Sequence, residues 1–180
     1  MLSFPQACNN HFIFATLYPK LAAIFISIYV PNYMKLPMVK PFTILIADDD
    51  SDDVQLTRDC FDENNLPIRV NDVNDGQLLV EHLKNLVSDA NDRALPQLIL
   101  LDLNMPRKTG LEALQELKAD TRLCRIPVII FSTSKAQKEI DKAYELGASC
   151  FVSKPNTLEE WCDKMGKLGR FWLDCVKVSA

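Results

Sequence analysis

Five glycines in 180 residues, two histidines and no C-x-x-C pair exclude several common kinds of chemistry. Gly76, Gly110, Gly147, Gly166 and Gly169 form no G-x-G-x-x-G, so no loop is built to cradle the phosphates of a dinucleotide or flavin. His11 and His82 lie far apart without ligand spacing and read as solvated residues, which removes a zinc site. The net charge of -4 supplies no cluster of Lys and Arg, so nucleic acid is not expected as a partner. Cys8, Cys60, Cys124, Cys150, Cys162 and Cys175 sit mostly inside apolar stretches and read as reduced thiols of a cytosolic protein, with no disulfide framework. No internal repeat or low-complexity tract is present.

What is present is enough apolar surface to fold. With 48% hydrophobic and 24% charged residues the chain matches a globular protein of one domain plus an extra segment. Residues 1–40 form a hydrophobic N-terminal extension, and residues 41–180 form the domain. Phe12 to Val30 approaches the ~20 apolar residues that span a bilayer, although Pro19 and Lys20 interrupt it. No Lys or Arg precedes Lys20, which argues against a secretory signal. Met34 and Met38 lie just before the first strand, so the extension is read as a misassigned start or a dispensable segment, with a membrane anchor over residues 12–30 as the alternative.

Beyond residue 41, short apolar runs alternate with longer amphipathic ones, the pattern of βαβ units around a parallel sheet. Strands are expected at Thr43 to Ala47, Ile68 to Val73, Gln97 to Leu101, Val128 to Ser132 and Ser149 to Ser153. Helix starts are expected at four capping boxes: Asn74 with Gln77, Thr109 with Glu112, Ser134 with Gln137, and Thr157 with Glu160. The first helix opens at Ser51, with Asp52 and Asp53 in its first turn. The last helix carries Leu158, Trp161, Cys162, Met165, Leu168, Trp172 and Cys175 at spacings of three or four, a core stripe. Ser88 to Pro96 reads as a polar loop.

Ligands of such sheets bind beyond the carboxyl ends of the strands. There the sequence places Asp48, Asp49 and Asp50, then Asp102, then Ser132 and Thr133, then Lys154 and Pro155. A lone aspartate after a strand is ordinarily a turn residue; several converging on one edge repel, at roughly 3 kcal/mol for two charges ~5 Å apart at a dielectric of 20. Oxygen ligands from one or two carboxylates suit Mg²⁺, Lys154 adds a mobile positive charge, and the Ser132 hydroxyl donates to an oxyanion. Together they describe a site that accepts a phosphoryl group, with Asp102 as nucleophile. Asp50, Asp52 and Asp53 read as solvated charges.

ILIADDD, LILLDLNMPRKTG, IPVIIFSTS and CFVSKP, in this order, resemble the receiver domain of bacterial response regulators, the CheY-like family, over residues 42 to 155 and through the last helix to about 176. The resemblance implies a flavodoxin-like α/β fold: a five-stranded parallel sheet of order 2-1-3-4-5 with five helices. It implies Asp102 as phosphoacceptor and metal ligand, Asp49 as the main metal carboxylate with Asp48 assisting through water, and the Asn104 backbone carbonyl as a further ligand of Mg²⁺. Ser132 and Lys154 would contact phosphoryl oxygens, Phe151 matches the aromatic switch, and Lys154-Pro155 matches a peptide typically cis in the family. Ser132 stands where threonine is commoner, Thr133 where smaller residues are common, and Phe151 lacks the hydroxyl of tyrosine. The extended loop before the third strand resembles single-domain regulators that partner phytochrome-type histidine kinases.

Enzymes of the haloacid dehalogenase type also use an aspartyl nucleophile, but they carry D-x-D-x-T where this chain has Asp102, Leu103, Asn104, Met105, Pro106. The expectation is a cytoplasmic phosphoacceptor and not a classical enzyme: a single-domain regulator, since no effector domain follows Ala180. Its partners would be a sensor histidine kinase, a histidine phosphotransfer protein, or a second copy docking through the fourth helix, fifth strand and fifth helix. The alternative is a phosphorylation-independent scaffold of the same fold.

Overall fold

The computed structural model describes residues 41–88 and 95–176. The expectations for the extension, for the anchor over residues 12–30 and for most of the loop before the third strand fall outside them. Five strands alternate with five helices: β1 (Phe42–Ala47), α1 (Ser51–Glu63), β2 (Ile68–Val73), α2 (Gly76–Ser88), β3 (Leu98–Leu101), α3 (Gly110–Ala119), β4 (Val128–Ser132), α4 (Gln137–Glu145), β5 (Cys150–Ser153) and α5 (Leu158–Arg170). A π-helical turn, Phe171–Cys175, continues α5. Every strand pair is parallel and the order is β2-β1-β3-β4-β5.

The strand sequences follow from their places in the sheet. β3 (LILL) and β4 (VIIFS) are buried along their whole length because helices cover both faces. Successive side chains point to opposite faces. Ile44 and Ile46 therefore pack with Phe61, Trp161 and Met165, while Leu45 and Ala47 pack with Leu79, Leu83 and Leu114. Each fully buried side chain of this size contributes ~1.5–3 kcal/mol. β2 is an edge and alternates half-buried with exposed residues through most of its length. α4 buries only Ala143, which makes it the most lightly packed of the helices. Among the described residues no helix is long and apolar enough to cross a membrane.

Two of the four expected capping boxes were misplaced. Thr109 and Glu112 form the reciprocal pair, and Thr157 accepts from the Glu160 amide. At α2 the cap is Asp75, whose Oδ1 accepts from Leu78 N at 2.8 Å, because the helix starts one residue later than a cap at Asn74 requires. At α4 the N-cap is Ala136, with no side-chain bond, while Ser134 Oγ reaches Glu139 instead. Asp50, read as solvated, caps α1 by accepting from the amides of Asp52 and Asp53.

The expectation of reduced thiols is overturned at one pair: Cys60 of α1 and Cys162 of α5 are disulfide-bonded, 102 residues apart in sequence. Helix packing brings them together. Gly166 lets α1 and α5 approach so closely that an added Cβ would lie 2.3 Å from Asn64 Oδ1. The Asn64 amide in turn donates to the carbonyls of Cys60 (2.8 Å) and Cys162 (3.1 Å). Trp161 Nε1 donates to Thr57 Oγ1 at 3.1 Å across the same seam. A closed loop of this size restricts the unfolded chain, so Cys162→Ser is expected to lower stability by about 2–4 kcal/mol. Urea unfolding with and without dithiothreitol checks this: the wild type should lose stability on reduction and Cys162→Ser should not.

Candidate functional site

The ladder of the sheet continues one residue past β1, β3 and β5 and fixes the site. Asp48 N donates to Val73 O (3.1 Å), Asp102 N to Ala47 O (2.9 Å), and Lys154 N to Ser132 O (2.9 Å). The side chains of Asp48, Asp102 and Lys154 are thus held by backbone pairing at a common edge. Carboxylate oxygens of Asp48, Asp49 and Asp102 lie within 4.8 Å of one another, with Asp49 exposed and the other two buried. Lys154 Nζ reaches Asp48 Oδ2 at 2.7 Å, Asp53 Oδ2 at 2.7 Å and Asp102 Oδ1 at 3.5 Å. The Lys154 peptide to Pro155 is trans, in correction of the cis expectation; trans is the form an X-Pro bond favours by ~0.5–1 kcal/mol.

The electrostatics show an excess of negative charge. Burial pushes the Asp48 carboxyl up to about 6, further helped by the charge of Asp102, against hydrogen bonding and attraction from Lys154 and the Asp50 amide. Lys154 is penalised by burial, yet its bonds to Asp48 and Asp53 and its attraction to Asp48 and Asp102 hold the ammonium form well above the usual lysine range. One ammonium cannot neutralise these carboxylates, and a cluster of hard oxygens with surplus charge fits a divalent cation. A cavity of about 280 Å³ opens beside them, lined by Asp49, Ser51, Gln55, Arg58 and Asn74 among others.

Around Asp102 the loop to α3 is tightly built. Asp102 Oδ2 accepts from Asn104 N at 2.7 Å. Asn104 is exposed, while Leu103 and Met105 anchor the loop in the core. Arg107 takes a left-handed φ of 64° and pairs with Asp75, a fully buried carboxylate. Gly110 N donates to Leu103 O at 2.9 Å, closing the loop. Ser132 is fully buried, and its Oγ accepts from Ser134 N at 3.4 Å. No acceptor for the Ser132 hydroxyl proton is found among the described residues. Thr133 beside it is exposed.

Phe151 is half-buried, packed on the α2 and α3 side of the core, and its backbone N donates to the Tyr144 hydroxyl at 3.2 Å. Asp48, Asp49, Lys154 and Asn104 gather around Asp102, Ser132 ends the neighbouring strand β4, and Phe151 lies in β5 against α4. Sequence reasoning missed Asp53, Tyr144 and the Asp75–Arg107 pair. Asp53 stands in the first turn of α1, directly after the acidic end of β1, and that position was the available signal. Nothing local marked the other three.

The model of the response regulator receiver domain matches residues 44–165. The chain belongs to that family. Response regulator Rcp1 of Synechocystis sp. is 30% identical over 140 residues, which cover 78% of this chain and 95% of the relative. The receiver fold superposes on the crystal structure of the Mn(2+)-bound form of Rcp1 with a TM-score of 0.69 at 30% identity, covering 78% of this chain and all of the other. It superposes on the phosphorylated cyanobacterial phytochrome response regulator RcpA with a TM-score of 0.70 at 33% identity, covering 77% and 98%. A receiver domain of this family acts in two-component signalling, where an aspartate accepts a phosphoryl group from a sensor histidine kinase. The flavodoxin-like, CheY-like assignment and the strand order expected from the sequence stand.

Proposed function

We propose that Asp102 is the phosphoacceptor and that Asp49, Asp102 and the Asn104 carbonyl, with Asp48 assisting through water, would hold Mg²⁺. The convergence of three carboxylates and one lysine on a single sheet edge carries this reading. A carboxylate oxygen of Asp102 attacks phosphorus, the bond to the donor histidine nitrogen breaks, and its electron pair leaves with the imidazole. The metal, when bound, supplies charge that offsets the phosphoryl oxygens. Lys154 neutralises a second oxygen and the Ser132 hydroxyl donates to a third. The cavity beside Asp49 leaves room for the waters Mg²⁺ retains.

Output follows from the lightly packed α4. A phosphoryl group that draws the Ser132 hydroxyl favours one arrangement of the loop after β4, which leads into α4, and the bond from Phe151 N to the Tyr144 hydroxyl ties α4 to β5. The partners are a cytoplasmic sensor histidine kinase, a reading supported by the likeness to the phytochrome response regulator RcpA, and a histidine phosphotransfer protein or a second copy at the face of α4, β5 and α5. Partner binding that ignores phosphodonor would favour the scaffold reading instead.

Asp49→Ala is expected to weaken Mg²⁺ binding by ~10-fold or more; an unchanged affinity in calorimetry would remove Asp49 from the site. The metal binds the carboxylate form of Asp48, whose acid form is favoured below about 6 in the metal-free protein. Affinity should therefore be full above that pH and fall by about tenfold from pH 7 to pH 5, with a proton released on binding at the acid end. A flat profile would contradict the burial of Asp48.

A further inference from the structure

Asp53 is the member of the cluster that the phosphoacceptor reading leaves without a role. It stands in the first turn of α1 with its side chain a quarter exposed, and its Oδ2 lies as close to Lys154 Nζ, 2.7 Å, as Asp48 Oδ2 does. Asp102 Oδ1 is farther, at 3.5 Å. Among the described residues no other Lys or Arg pairs with any of these three carboxylates. The ammonium has three N–H donors, and two are engaged by Asp48 and Asp53.

Asp48 faces two competing demands. Its Oδ2 accepts from Lys154, and the same carboxylate belongs to the cluster that would hold a divalent cation. Two cations cannot share it closely without repulsion. Entry of the metal therefore requires the ammonium to loosen its hold on Asp48. The ammonium, shielded from water at 5% side-chain exposure, then needs an anion other than Asp48. Asp53 at 2.7 Å is nearer than Asp102 at 3.5 Å and is fixed by the helix whose first turn carries it.

We propose that Asp53 is a positioning residue that draws the Lys154 ammonium off Asp48 when a divalent cation enters and retains it within reach of the oxygens acquired by Asp102. The inference rests on the reading of the acidic cluster as a metal and phosphoryl site. Asp53 acts through Lys154 and touches neither the metal nor the phosphoryl group.

The test is a double-mutant cycle read by calorimetric titration of the full chain with Mg²⁺ at pH 7.5, using wild type, Asp53→Asn, Lys154→Met and the double variant, each checked for native circular dichroism. Met keeps the length of the lysine stem; Lys154→Gln replaces it in the cycle if Lys154→Met is misfolded. Asp53→Asn is expected to lower Mg²⁺ affinity about tenfold when Lys154 is present and less than about threefold when it is absent. Equal losses in the two backgrounds, or no loss in either, overturn the inference while leaving the metal site standing. A wild type that takes up no Mg²⁺ overturns the reading of the site and this inference with it.

Discussion

Asp102→Asn is expected to reduce incorporation of label from acetyl phosphate, with Mg²⁺ present, by about 100-fold or more. The substitution is nearly isosteric, and an amide oxygen can still accept from the Asn104 amide that now bonds Asp102 Oδ2 at 2.7 Å. The fold and the loop should survive it. What is lost is the nucleophile, since a neutral amide oxygen does not form a stable acyl phosphate, together with the negative charge that faces Lys154 at 3.5 Å. Autoradiography and intact-mass measurement check it. Residual labelling at the wild-type rate would place the acceptor elsewhere, with Asp48 and Asp49 the first to examine.

Gly110→Ala is expected to cost about 3 kcal/mol of stability and to impair labelling as well. A Cβ at this position would sit 2.1 Å from the Asp102 carbonyl oxygen and 2.9 Å from Leu103 Cα, both backbone atoms that cannot swing aside. That carbonyl belongs to the residue whose side chain does the chemistry, so relief of the clash must move either α3 or the phosphoacceptor. Urea unfolding gives the stability and acetyl phosphate labelling the activity. A variant with an unchanged midpoint and unchanged labelling would mean that the loop is far more compliant than its closing bond from Gly110 N to Leu103 O implies.

The sheet was legible because its signal is carried by runs whose burial leaves little choice. Ile68–Val73 and Val128–Ser132 match their expected spans, and β1, β3 and β5 differ by one residue at the start. Parallel strands all end at one edge, so Asp48, Asp102, Ser132 and Lys154 could be gathered without knowing a single distance. The helices were harder. A cap motif says that a hydroxyl and a Glu or Gln are three residues apart, and Ser134 to Gln137 satisfies that while Ser134 bonds Glu139. Asp53 and Tyr144 depend on how far each helix is rotated against the sheet, which tertiary packing decides. The Cys60–Cys162 bond joins two helices at opposite ends of the domain sequence, and no local spacing could announce it.

A crystal structure of the protein with beryllofluoride and Mg²⁺ tests the central claim most directly. The account predicts beryllium bonded to an Asp102 carboxylate oxygen, Mg²⁺ held by Asp49, Asp102 and the Asn104 carbonyl with Asp48 reaching it through water, and Ser132 Oγ and Lys154 Nζ each within hydrogen-bond distance of a fluorine. Density for the anion at another carboxylate, or a bare Asp102 in crystals grown with both reagents, would contradict it.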